Sequence, residues 1–149
     1  MVEKILVKGQ LTSEMIEAGR HLLARLKESN HEVTTAYWLY NPDAGEWRLT
    51  LAMPEVDADG PREVYSRIWS VLTGNGGTFI GLDLSNITVV SPADRFVRTL
   101  VQYQKGSALH NNLPNPRMSR FELGDTYVED MYLYFVNDGY PATYCHSTP

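Results

Sequence analysis

Cysteine is nearly absent: Cys145 is the one thiol in 149 residues. One thiol forms neither an internal disulfide nor a multi-cysteine zinc site. A reducing compartment is its natural home. Long apolar runs are also missing, and no stretch approaches the roughly 18 consecutive apolar residues of a membrane helix. The run Met1 to Lys8 contains an acid and lacks the apolar centre of a signal peptide. These absences point to a cytoplasmic chain with no membrane partner. Histidine is sparse, and His21, His31, His110 and His146 include no i, i+4 pair for a helix-based metal site. The glycine run Gly74-Asn75-Gly76-Gly77 lacks both the spacing and the following Lys-Ser/Thr of a phosphate loop. No GxGxxG, HExxH or GxSxG is present. The sequence therefore assigns no catalytic residue, no metal ligand and no cofactor. Basic charge is in deficit as well. Thirteen Lys and Arg face 18 Asp and Glu, giving a net charge of −5. A mainly electrostatic binder of nucleic acid or anionic membrane is disfavoured by that balance.

What is present is globular: 43% of residues are apolar and 21% are charged. The length suits a single domain over 1–136, followed by a loosely ordered tail over 137–149.

Local patterns give the elements. Val2 to Lys8 reads as a short strand. Thr12 or Ser13 caps a helix over 12–29, where Met15, Gly19, Leu22, Leu23 and Leu26 form one apolar stripe. Val33 to Tyr40 is β-branched and aromatic on both alternating faces, as in a strand covered on two sides. Asn41-Pro42-Asp43-Ala44-Gly45 is a turn, and Trp47, Leu49, Leu51 and Met53 alternate in the returning strand of a hairpin. Glu55 to Gly60 reads as an acidic loop. Pro61 opens a helix to about residue 72, striped by Val64, Tyr65, Ile68, Val71 and Leu72. Ile87 to Val90 is a short buried strand. Ser91 caps a further helix with Pro92 at its first position, carrying Phe96, Val97, Leu100 and Val101 to Lys105. Residues 107–116 read as loop, Arg117 to Leu123 as a strand, and Thr126 to Val136 as the last strand. Alternation there puts Met131, Leu133 and Phe135 on one face and Val128, Asp130, Tyr132, Tyr134 and Val136 on the other. The sum is an α+β fold: one mixed sheet with a central β-hairpin and about three packed helices.

The runs Leu11 to Gly19, Ala36 to Tyr40, Glu46 to Leu49, Gly60 to Tyr65 and Tyr127 to Asp130 resemble a group of small bacterial proteins without an assigned activity. The resemblance implies a bacterial cytoplasmic home and carries over no site residue.

Three clusters are candidates for function. The first is acidic: Glu14 and Glu17; Glu55, Asp57 and Asp59; Asp125, Glu129 and Asp130. Grouped carboxylates suit Mg²⁺, but helix-start and loop acids more simply serve the dipole and the solvent. The element order is also similar to part of the core of PD-(D/E)xK nucleases. In that family an acid and a Glu-x-Lys on hairpin strands hold the metal. This chain reads Glu46-Trp47-Arg48, and Val33 to Tyr40 offers no acid, so the analogy implies at most a degenerate, nucleic-acid-associated relative. The second cluster is basic. Between 92 and 120, Arg95, Arg98, Lys105, Arg117 and Arg120 stand against the single acid Asp94. Such a segment suits a polyanion or an acidic partner surface. The third is aromatic: Tyr37, Trp38, Tyr40, Trp47, Tyr127, Tyr132 and Tyr134. Two-sided apolarity in these strands exceeds what one helix layer covers, so these residues are expected to form an interface. The function expected from the sequence is a protein–protein interaction module, a homodimer or the subunit of an assembly. The alternative is the nucleic-acid-associated protein.

Overall fold

Thr12 opens the first helix because its Oγ1 accepts the Met15 amide at 3.1 Å, satisfying one of the donors a helix start leaves unpaired. The computed structural model describes residues 10–74, 82, 84–105 and 117–136. The expected strand over 2–8, the loop over 107–116 and the tail over 137–149 lie outside them. Helix α1 spans Ser13–Glu28 and buries Ala18, Gly19, Leu22 and Leu26. Strand β1 (Thr35–Asn41) then turns into β2 (Glu46–Ala52). The turn follows from Asn41, whose Oδ1 accepts the amides of Asp43 and Ala44. Gly45 sits at φ +67° and donates its amide to the Asn41 carbonyl at 2.8 Å, a conformation that costs glycine little.

Residues 55–59, expected as loop, are instead a five-residue helix α2 (Glu55–Asp59). One turn and a half is too short to show a stripe, so periodicity could not reveal it. Helix α3 (Pro61–Thr73) follows, with Pro61 at its start and Val64, Ile68 and Leu72 buried. Strand β3 (Ile87–Val90) lies parallel to β2, as a crossover through helices requires. Helix α4 spans Arg95–Lys105. Its cap is Asp94 rather than Ser91: the Asp94 carboxylate accepts the amides of Phe96 and Val97. Ser91 makes the preceding turn by accepting the Ala93 amide. Strands β4 (Arg117–Leu123) and β5 (Thr126–Val136) form the last hairpin.

The fold is α+β, built on a single mixed five-stranded sheet in the order β3-β2-β1-β5-β4, with four α-helices among the described residues. The β1–β2 hairpin is central. Helices α1 and α3 cover one face. There Leu22, Leu26, Val64 and Ile68 pack on Trp38, Leu49, Leu51 and Ile87. Helix α4 alone covers the other face, with Val97, Leu100 and Val101 on Tyr37, Ala52, Met131 and Leu133. The β3 edge is blunted locally, because the Val89 amide donates to the Tyr65 hydroxyl at 3.1 Å.

Two irregularities overturn simple alternation on the last hairpin. Ala36 pairs with Phe135 and Tyr37 with Leu133, so Tyr134 is the extra residue of a β-bulge. The bulge reverses parity, and Val136 joins Leu133 on the α4 face. On β4, Arg120 lies at φ +51° and the ladder skips its pair. Phe121 and Val128 then turn to the α4 side with Met118 and Met131.

Candidate functional site

The sheet aromatics do not form an exposed interface. Tyr37, Trp38, Tyr40 and Trp47 are buried within the chain. The expectation assumed one uncovered sheet face, but helices pack on both. Tyr132 and Tyr134 are half-buried, and both serve internal contacts. Tyr134 accepts a hydrogen bond from Trp38 Nε1 at 2.8 Å and donates one to the Ile16 carbonyl at 2.7 Å. Tyr132 meets it edge-on with ring centroids 5.3 Å apart and accepts from Arg20. Burial holds the Tyr134 hydroxyl far above the ordinary phenol value. Burial does the same to Tyr37, helped by the charge of Asp94.

The basic residues are not brought into one patch. Arg117 belongs to the α1–α3 face, where its guanidinium lies 5.1 Å from the Trp47 ring centre and grips Asp130 with two hydrogen bonds at 2.8 and 3.0 Å. Asp130 is 5% exposed and also accepts from Ser119. Arg95, on the opposite side with α4, pairs with Asp125 at 3.0 Å. Arg98 and Arg120 are exposed. The side chain of Lys105 lies outside the described residues.

The acids are tied to cations and hydroxyls. Glu55 bonds Arg67 at 2.6 Å and His31 at 3.0 Å, and Asp59 bonds Arg67 at 2.8 Å. Asp57 accepts from Ser91. Glu17 pairs with Arg20. Among the described residues no three His, Cys, Asp or Glu side chains converge on a metal-sized space. The Glu46-x-Arg48 pair of the nuclease analogy is an ion pair through Arg48 Nη1 at 2.9 Å.

Among the described residues, two clefts of about 330 Å³ bear on function. The first lies between α1 and α3 and is lined by Arg25, His31, Arg67 and Ser70. It looks suited to anions, yet Arg67 and His31 are engaged by Glu55 and Asp59. Ser29 and Gly74, the C-caps of α1 and α3, also line it, and helix C-termini favour cations. Its positive charge is thus spent on the protein's own groups.

The second cleft lies on the α4 face. Helix α4 reaches Ala52 at the end of β2 and Val90 of β3, and the cleft opens beside it. The floor is Leu39 of β1, Arg48 and Thr50 of β2 and Thr88 of β3. Phe96 of α4 forms one wall. Pro42 of the β1–β2 turn and Thr126 and Tyr127 of the β4–β5 hairpin form the others. Tyr127 is 56% exposed at its mouth. Arg48 is held in place: its Nε donates to Thr88 Oγ1 at 3.0 Å and its Nη1 to Glu46 at 2.9 Å. The cleft draws on five separate segments. Sequence reasoning named Tyr40 and Tyr127 among the interface aromatics and Arg48 in the nuclease analogy, but did not bring them together. The signal available was the period-2 polar row Arg48 and Thr50 on a strand whose other face is apolar.

Comparison with protein-family models, with curated proteins and with solved structures gives no match to this chain. Among the described residues no helix is long and apolar enough to cross a membrane.

Proposed function

We propose that this chain is a protein-interaction module that seats an extended segment of a partner in the cleft on the α4 face. One observation carries the reading: beside α4 an open cleft with Phe96, Pro42 and Tyr127 in its walls lies over Leu39, Arg48, Thr50 and Thr88 of the sheet. Small binding sites combine apolar walls with a few placed polar groups in this way. The cleft is about 330 Å³, at the small end of ligand sites, which suits a few side chains of a partner rather than a bulky cofactor. The contact surface is therefore Leu39, Phe96 and Tyr127 around Arg48, with Tyr40 the one buried sheet aromatic that lines it. The partner is a second protein or another copy of this chain.

A selection of random displayed peptides against the full chain tests this. The expected outcome is a set of mutually competing peptides that lose binding to Tyr127→Arg at the cleft mouth and keep it on Trp69→Arg. Trp69 is 53% exposed on α3, away from the cleft. Peptides indifferent to Tyr127→Arg, or no selected peptides at all, contradict the reading.

A further inference from the structure

We infer, resting on that reading, that the partner segment presents a carboxylate beside an apolar side chain, and that Arg48 is the residue that reads it. The chain as a whole is acidic, with net charge −5. The cleft has the opposite character. Among the described residues no acid lines it, and Arg48 is its sole charged lining residue. The guanidinium is half-buried and fixed by two hydrogen bonds through Nε and Nη1. Its Nη2 has no partner among the described residues. A planar fork with one arm free and its orientation already set loses little freedom on taking a carboxylate.

The neighbouring polar groups agree. The Asn41 side-chain oxygen is consumed by the turn amides of Asp43 and Ala44, which leaves its amide as a donor. Thr88 spends an acceptor position on Arg48. The cleft therefore holds two groups with only donors left over, Arg48 Nη2 and the Asn41 amide, beside hydroxyls that both donate and accept. A ligand that brings acceptor oxygens matches it, and one that brings cations does not. Leu39 and Phe96 supply the apolar side.

Glu46 is the internal competitor. It is 47% exposed and holds Nη1 from the turn side. An incoming carboxylate shares the guanidinium with it and meets its repulsion, so removing that charge strengthens the contact.

The test is a titration of the full chain, followed by amide and Arg side-chain NMR signals. The probes are acetyl-Phe-Asp-Leu-amide and its uncharged counterpart acetyl-Phe-Asn-Leu-amide. The Asp probe is expected to give saturable shifts at Arg48, Thr50, Thr88 and Tyr127, with the Asn probe about tenfold weaker or more. Glu46→Gln is expected to tighten the Asp probe several-fold and leave the Asn probe unchanged. Arg48→Gln is expected to bring the two probes level. If Arg48→Gln does not fold, the Glu46→Gln comparison decides alone. Equal affinities for the two probes at the cleft overturn the carboxylate inference and leave the interaction reading standing. Shifts confined to other surfaces, or none with either probe, overturn both.

Discussion

Gly19 of α1 lies directly against the Tyr134 hydroxyl of β5, so that a Cβ at position 19 would overlap that oxygen. The same hydroxyl ties Trp38 of β1 to the Ile16 carbonyl of α1. The bulge in β5 places Tyr134 where it can do this, because the extra residue points both Tyr134 and Phe135 to the α1 side. A small residue, a bulge and a two-way hydroxyl together set how closely α1 approaches the sheet.

Gly19→Ala is expected to destabilise the fold by about 1–3 kcal/mol through overpacking, although alanine is the better helix former by about 1 kcal/mol. Tyr134→Phe is expected to cost about 1–3 kcal/mol by leaving the Trp38 donor without its acceptor and removing the second bond to the Ile16 carbonyl. The double variant is expected to cost less than the sum, since the phenyl ring removes the atom that the new methyl strikes. Denaturant unfolding of the four proteins checks this. Strict additivity would show that the two positions do not meet.

The Arg117–Asp130 pair gives a second prediction. Arg117→Met keeps much of the side-chain volume but leaves the Asp130 carboxylate buried without its bidentate partner, and is expected to cost about 2 kcal/mol. Part of that loss is the stacking on Trp47. Adding Asp130→Asn to Arg117→Met is expected to recover part of the loss, because a neutral amide is cheaper to bury than a carboxylate that has lost its guanidinium. A double variant less stable than Arg117→Met alone would contradict this.

Glu32 gives a pH dependence. Its Oε2 is buried with no hydrogen-bond partner, and desolvation raises its pKa above the ordinary value of 4.5. The folded state therefore holds the proton more tightly than the unfolded one. Below about pH 4.5 both states are protonated and the group costs little. As pH rises, the unfolded chain ionises first, and stability is lost until the folded carboxyl titrates too. Glu32→Gln is expected to gain stability over wild type at neutral pH and to lose that advantage in acid. A gain of the same size at both pH values would show that Glu32 does not titrate with folding.

How much of this was legible in the sequence follows from the range of each interaction. The helix read as 12–29 is observed as Ser13–Glu28 because its cap and stripe are local. The central hairpin was readable from Asn41 to Gly45 for the same reason. Three features were not. Helix α2 is too short for a period. The bulge at Tyr134 exists only in the register between β1 and β5, which β5 alone does not encode. The covering of Trp38, Tyr40 and Trp47 depends on which face α1 and α3 choose, and strand alternation is silent on that choice. The cleft around Arg48 was hidden for a related reason. It lies beside α4 between segments distant in the chain, and these meet only once the strand order is known.

The most direct measurement of the central claim is hydrogen exchange of the full chain with and without a peptide taken from the random selection. Protection is expected in β3, in the Arg48 to Thr50 stretch of β2, and around Thr126 to Val128, with the outer face of α3 around Trp69 unchanged. Protection centred on the α1–α3 side, with those three segments unaltered, would contradict the assignment of the α4-face cleft as the partner's seat.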